Sequence, residues 1–324
     1  MKIKVETPTE QYLQDRKVRS WKIWQKKVKE DKRKVTKFEW CHYEAEEYYL
    51  LEGKVVVDTQ DGKIDLVAGD FVIFPAQLSC VWTIKESVKL HYHHHFPKEY
   101  GPHPNPHLQK MFREKPWQGQ KPEEADIIFL ALDANYSPCV DIELIRPYHT
   151  VGVEFWENNK QEHHHPFLTD QYTGSDGKKF HETFAMMGLD SSFAKYISFV
   201  ELLDYPTVGS RSDANVTYNL KHLQLIDRII RKAKITFILS SPTNPSGVYH
   251  EMLRIKRNYH DIFKWVPDSL KDAARVPPLL YENEFSRIYK PYHFSCSGEQ
   301  YTELVTRQLP EMKKIIESCV KPKK

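Results

Sequence analysis

Residues 46–92 read as short β-rich runs in quick succession, EYYLLEGKVVVDT, KIDLVAG, DFVIFPA, SCVWTI and VKLHY, with no helical period among them. A meander of short strands leaves unpaired edges unless it closes on itself or is sandwiched. The region is therefore expected to be an all-β barrel. Gly53, Gly62 and Gly69 stand where the turns are needed, and Pro75 closes a strand rather than interrupting one.

Beyond residue 120 the pattern changes. Apolar strand runs IIFLAL (127–132), KYISFVELL (195–203) and KITFILSS (234–241) alternate with helical stretches. In YNLKHLQLIDRIIRKA, Leu220, Leu223, Ile226 and Ile230 share one stripe, and a last helix carries Leu304, Leu309, Met312, Ile315 and Ile316 on its apolar side. Strands alternating with helices predict an α/β domain with a mostly parallel central sheet and helices on both faces. The segment HFPKEYGPHPNPHLQKMFREKPWQGQKPEEAD is rich in Pro, His and Gly and reads as an extended connector. The expected division is an all-β barrel at 1–96, a Pro/His-rich linker at 97–121 and an α/β domain at 122–324, which suits a chain of 324 residues.

A formal charge of +3 is too small to imply a nucleic-acid partner, but its distribution is uneven. Residues 1–37 hold thirteen Lys or Arg against five Asp or Glu, so the rest of the chain is net acidic. Basic residues interleaved with Trp21 and Trp24 can bind phosphates and stack bases, or the two rings can pack on the barrel. The five cysteines, Cys41, Cys80, Cys139, Cys296 and Cys319, are scattered without a C-x-x-C pair and read as reduced thiols. No apolar run reaches the length of a membrane span and the N-terminus lacks a signal peptide's apolar stretch, so a soluble, cytoplasmic protein with no membrane partner is expected.

Two distant segments carry the candidate chemistry. DIIFLALDANYS (126–137) delivers Asp133 and Asn135 at the end of an apolar strand, and RIYKPYHFSCSG (287–298) brings His293 and Ser295 just before the last helix. In an open α/β sheet, such strand ends line one crevice, where a carboxylate and an imidazole can face a common cavity. The triplet His163-His164-His165 invites a metal reading, but adjacent side chains diverge and no Cys or Asp lies at tetrahedral spacing.

The stretch SWKIWQKK…FEWCHYEAEEYYLLEGKVVV…AGDFVIFPAQLSCVWTI…VKLHYH resembles the small cupins of the ethanolamine-utilisation-like and ureidoglycine-aminohydrolase-like group. Trp40, Glu46, Leu51-Glu52-Gly53-Lys54-Val55, Gly69-Asp70, Phe74-Pro75, Cys80, Trp82 and His91-Tyr92 fall in family order over residues 3–95. The resemblance implies a jelly-roll barrel that binds a small ligand or sets the oligomeric state, with a homodimer formed through it. Metal-binding cupins use His and Glu ligands suited to a divalent metal; here the resemblance leaves His42, Glu46 and Cys80, with Trp40 where another His would stand.

The order LDANYS, GVEFW (152–156), HHHPFL (163–168), SFVELLDYPTVG (198–209), FILSS and PYHFSCSG resembles the uracil-DNA glycosylase superfamily over about residues 122–320. It implies hydrolysis, without any cofactor, of the bond joining a damaged or deaminated base to its sugar, with DNA or a nucleobase-containing ligand as partner; the alternatives are a non-catalytic small-molecule or nucleic-acid binding protein that keeps this fold, or a metal-dependent cupin enzyme. On that resemblance Asp133 positions water, His293 contacts the departing base and Ser295 the backbone. Asn135 would read the base edge, and Tyr136, Phe155 or Phe167 would supply an aromatic wall. Ala134 and Phe294 replace prolines of the family pattern.

Overall fold

The computed structural model describes residues 3–26, 36–42, 45–75, 78–94, 100–137, 140–158, 163–170, 172, 177–209, 216–240 and 247–320. The chain divides into two compact units, one formed by residues 1–98 with 137–139 and the other by 99–136 with 140–324.

The first unit contains strands β1 (Lys4–Glu6), β2 (Lys22–Lys26), β3 (Thr36–His42), β4 (Glu46–Glu52), β5 (Lys54–Thr59), β6 (Gly62–Val67), β7 (Phe71–Phe74), β8 (Leu78–Ile84) and β9 (Val88–His94), and the short helix α1 (Glu10–Asp15). They form a five-stranded sheet, β1-β7-β4-β9-β2, and a four-stranded sheet, β3-β8-β5-β6. Every pairing is antiparallel. Inward residues of the two sheets, among them Leu50, Val57, Leu66, Phe74, Trp82 and Leu90, build one core. Val55 and Val57 are fully buried while Lys54 and Val56 are not, the alternation expected of strands with one face on a core. The jelly-roll expectation thus holds. Gly53 takes φ +87, and a Cβ there would lie 2.2 Å from the Ser87 carbonyl oxygen, so the β4–β5 turn requires glycine.

In the second unit follow β10 (Gly101–Pro102), β11 (Trp117–Gly119), β12 (Ile127–Ala131), β13 (Ile197–Glu201), β14 (Thr207–Val208), β15 (Ile235–Ile238), β16 (Leu279–Glu282) and β17 (Arg287–Tyr289). The helices are α2 (Pro106–Glu114), α3 (Ile142–Thr150), α4 (Gly152–Asn158), α5 (Lys178–Ala185), α6 (Leu220–Lys232), α7 (Val248–Asn258), α8 (Gly298–Glu303) and α9 (Leu309–Cys319). Six strands form one sheet in the order β11-β13-β12-β15-β17-β16. The four inner strands are parallel, but both edge strands run antiparallel to their neighbours, so the sheet is mixed rather than uniformly parallel. Along β12, Ile128 and Leu130 join a core with α6 and α7, whereas Ile127 and Phe129 join another with α4, α5 and α9. Both faces of the sheet are therefore buried, which is why this strand reads as an unbroken apolar run.

The stretch expected to be a bare connector is largely folded. Asn105 accepts the backbone N–H groups of His107 and Leu108 (2.9 and 3.2 Å) and Pro106 occupies the first helical turn, so α2 starts where the Pro-rich composition suggested irregular chain. β11 then adds itself to the sheet edge along β13. Among the described residues no helix is long and apolar enough to cross a membrane.

Candidate functional site

In the α/β unit the chain runs from β12 to β13 on one side and later to β15 on the other, so the strand order reverses at β12. At such a point the connections leave in opposite directions, and in open α/β sheets ligands bind beyond the strand ends there. Asp133 stands two residues past β12 at this position. Its Oδ2 accepts hydrogen bonds from Tyr100 (2.8 Å) and from the Thr207 hydroxyl. Among the described residues both bonds go to that one oxygen, which leaves Oδ1 for a ligand.

Thr207 is itself tightly held. Its N–H donates to the Ala134 carbonyl and its own carbonyl accepts the Tyr136 N–H, each at 3.0 Å. In β14 it pairs with Pro102 of β10. Asn135 donates through Nδ2 to the Thr207 hydroxyl (3.1 Å) and to the Gly209 carbonyl (3.0 Å), and its side chain is exposed. The carboxylate is thus mounted on a braced turn, a rigid support of the kind a positioned reacting group needs.

Glu201 ends β13 directly beside Ala131 of β12. The residue is half-buried, but its Oε2 is sealed from solvent and has no hydrogen-bond partner. Burial, and secondarily the charge of Asp133, push its carboxyl well above the usual range. Both causes favour the neutral form of Glu201 next to Asp133. The sequence reading passed over it, although the signal was the same as for Asp133, an apolar strand ending on a carboxylate.

His293 follows β17, two places from β12 in the sheet, so the two strand axes are about 10 Å apart. Its Nδ1 accepts the Ser295 N–H at 3.1 Å, which puts the ring proton on Nε2. Burial lowers its pKa to about 4, so the ring is neutral. Among the described residues no hydrogen bond joins Asp133 to His293; they share a sheet end rather than a direct contact. The loop between them and the last helix is well anchored. Phe294 is fully buried against Phe129, Phe180 and Phe184, and its carbonyl accepts the Thr183 hydroxyl at 2.9 Å. A single π-helical turn, Leu304–Gln308, precedes α9 and brings Gln308 Oε1 to the Tyr292 N–H at 2.9 Å. Ser295 is exposed.

The aromatic wall expected at this site is placed differently. Tyr136 and Phe167 are 6% and 1% exposed and belong to a packed cluster with Phe112 and Ile145. Phe167 stacks on Tyr172 at 4.2 Å, and Phe155 lies edge-on to Tyr148. Tyr136 and Phe167 thus serve as core. His164 and His165 are buried with His181: His164 Nε2 meets His181 Nδ1 at 3.0 Å, and the His165 and His181 rings stack at 3.5 Å. Burial holds all three neutral, His181 at about 3.

In the barrel, His42 and Glu46 are fully buried and bonded to each other, Nδ1 to Oε2 at 2.8 Å, while the Tyr48 hydroxyl donates to the same oxygen. His42 lies flat on Phe74, ring centroids 3.9 Å apart. Cys80 is packed among the core side chains, across from Trp40. Among the described residues no three His, Cys, Asp or Glu side chains converge as a metal group would require. Of the donor set His42, Glu46 and Cys80, Glu46 is engaged by His42 and Tyr48. Of the basic segment before β3, Trp24 packs near Phe38 and Trp82 and Trp21 stacks on His93 at 5.1 Å, so both rings serve the barrel; residues 27–35 lie outside those described. His91 binds the Trp21 carbonyl through Nδ1.

The barrel also encloses a cavity of about 140 Å³ lined by Trp24, Phe38, Trp40, Tyr48, Trp82 and Tyr92, with Leu90 as its aliphatic member.

Comparison with known proteins bears on this first unit. The EutQ-like cupin domain model matches residues 13–92. A DUF861-family protein of Thermotoga maritima is 40% identical over 28% of this chain and 98% of that one, with a TM-score of 0.26. The ethanolamine utilization protein Q of Salmonella typhimurium LT2 is 23% identical over 22% of this chain and 51% of that one, with a TM-score of 0.19. The Clostridium difficile EutQ protein is 16% identical over 22% and 50%, with a TM-score of 0.19. This chain thus spans about half the length of those two. No curated protein matches the chain. With its strand pairing, glycine turns and core as described, the N-terminal domain at residues 13–92 belongs to the EutQ-like cupin family.

Proposed function

We propose that the α/β unit hydrolyses the bond between a nucleobase and its sugar. The observation that supports this reading is Asp133, held through Oδ2 by Tyr100 and Thr207 at the point where the strand order reverses, with Oδ1 left over for water. When the bond breaks heterolytically, the electron pair leaves with the base and the sugar carbon becomes cationic. Asp133 stabilises that cation and accepts the proton of the water that attacks it. The neutral His293 offers its Nε2 proton as a hydrogen bond to the departing base anion, without an imidazolium having to be buried. Glu201 stays protonated beside Asp133 and so keeps a single negative charge at the strand ends. The base anion finally takes a proton, which balances the one lost by water.

The net acidity of the chain after residue 37 favours a small nucleobase compound over duplex DNA. The test is release of free base, followed by chromatography, from nucleosides and from oligonucleotides containing uracil or hypoxanthine. Asp133→Asn is expected to lower the rate about 10²- to 10⁴-fold. Release unchanged in both Asp133→Asn and His293→Ala would overturn the assignment, as would no release from any of these compounds.

A further inference from the structure

The cavity in the barrel has a lining with its own chemistry. Six of the side chains that form it are aromatic, three of them tryptophan. Its size, about 140 Å³, is close to that of cavities that admit a benzene-sized guest, so the occupant has about five to eight non-hydrogen atoms.

Ring orientation narrows the shape. Trp24 stands at 74° to Trp82, Phe38 at 83° to Trp40 and Tyr48 at 59° to Trp82. These are the walls of a box. Sandwiching a flat ring needs two near-parallel faces about 7 Å apart, but the near-parallel pair Phe38 and Trp82, at 21°, packs directly together with centroids 6.1 Å apart. A compact, rounded guest suits the box better than a planar one.

Charge narrows it further. Aromatic faces are negative, and a guest held by several of them at once is favoured if it is a cation. Behind the Tyr48 wall lies the Glu46 carboxyl group, only 1% exposed and bonded to the Tyr48 hydroxyl, which sets further oxygen lone pairs on the same side. Trp40, 39% exposed although it lines the cavity, puts one indole where the guest would enter. An aliphatic guest would need none of these features.

We propose that the barrel is an aromatic cage for a small organic cation of the quaternary ammonium type. The proposal is independent of the reaction assigned to the α/β unit.

The test is calorimetric titration of the full-length protein with choline and with its uncharged carbon isostere 3,3-dimethylbutan-1-ol. Choline is expected to bind saturably and the alcohol about tenfold more weakly or worse, the difference being the cation–π contribution in a desolvated site. Trp40→Leu, at an exposed position that tolerates change, is expected to weaken choline about tenfold with the thermal midpoint kept, and Trp40→Phe to retain most of the affinity. Equal or tighter binding of the alcohol would make the cavity a merely apolar one and overturn the proposal. So would the absence of saturable choline binding to folded protein, or a Trp40→Leu variant that binds as the parent does.

Discussion

Asp133 and Glu201 stand at the carboxyl ends of adjacent parallel strands, and the charge on the first adds to burial in keeping the second protonated. Two carboxyl groups so placed cannot ionise equally easily, and the one with a sealed, unpartnered oxygen is pushed toward its protonated form. The bonds to Tyr100 and Thr207 belong to Asp133 alone, so the division of roles is already set by the backbone that carries them.

The raised carboxyl of Glu201 has a stability signature. In the unfolded chain it ionises near 4.5, whereas in the fold it holds its proton far above that. Its contribution is thus fully present below pH 4.5 and declines as pH rises toward the folded value. Glu201→Gln removes the penalty, and its advantage over the parent should grow above pH 4.5 by up to about 1.4 kcal/mol per pH unit. Urea unfolding of both proteins across pH 4 to 8 measures it; a constant difference would mean that Glu201 ionises normally.

Histidines give the opposite slope. His149 and His293 are held at about 4 and His181 at about 3, chiefly by burial, with His164 and His165 also far below 6.5. Their stabilisation is present above pH 6.5 and lost as pH falls through the folded values, because the unfolded chain takes up protons first. Each contributes up to about 1.4 kcal/mol per pH unit within that window. The unfolding midpoint should therefore drop steeply between pH 6.5 and 4.5, and His181→Gln should flatten the profile. A level profile in the parent would contradict the neutral state of these rings.

Thr207→Val removes the hydroxyl from Asp133 and Asn135 while keeping the side chain's volume. It should cost about 1 kcal/mol of stability for the hydrogen bonds lost, because Asp133 keeps Tyr100 and Asn135 keeps the Gly209 carbonyl. If Asp133 positions water, base release should fall at least tenfold at unchanged thermal midpoint minus that small cost. Tyr100→Phe tests the second support in the same assay, and rates equal to the parent's in both variants would show that neither bond matters to the reaction.

Gly53→Ala places a methyl group against the Ser87 carbonyl at a positive φ, so the turn must move. A loss of about 2 kcal/mol or more is expected, seen as a lower melting temperature of the barrel. Gly62→Ala, at φ +122 with open space around it, meets strain without a clash and should lose less. Equal losses would locate the cost in backbone conformation alone.

Much of this architecture can be read from residue patterns because burial on one or both faces writes itself into a strand. The short β-rich runs broken by Gly53, Gly62 and Gly69 mark the barrel, and the run Ile127–Ala131 marks a strand covered on both sides. Leu223, Ile226 and Ile230 do face the core as their spacing requires, whereas Leu220, at the first turn, is 41% exposed. β11 left no such mark: three residues, Trp117, Gln118 and Gly119, are a strand only because β13 offers an edge. The same holds for side-chain partners. Asp133 is visible as a carboxylate ending a strand, but nothing in the order of residues shows that Thr207 and Tyr100 meet it, or that Glu46 turns toward Tyr48. The contacts of Asp133 depend on segments far apart in the chain, and that of Glu46 on which way a side chain turns within β4.

The π-helical turn before α9 sets the phase of the last helix. Each residue advances an α-helix by about 100°, so the wide turn at Leu304–Gln308 lets Gln308 reach Tyr292 while Met312 and Ile316 still point into the core. Deleting one residue there would regularise the spiral and swing one of those two attachments away from its target. The loop bearing His293 and the C-terminal helix are consequently geared together, and length changes in either must be matched in the other.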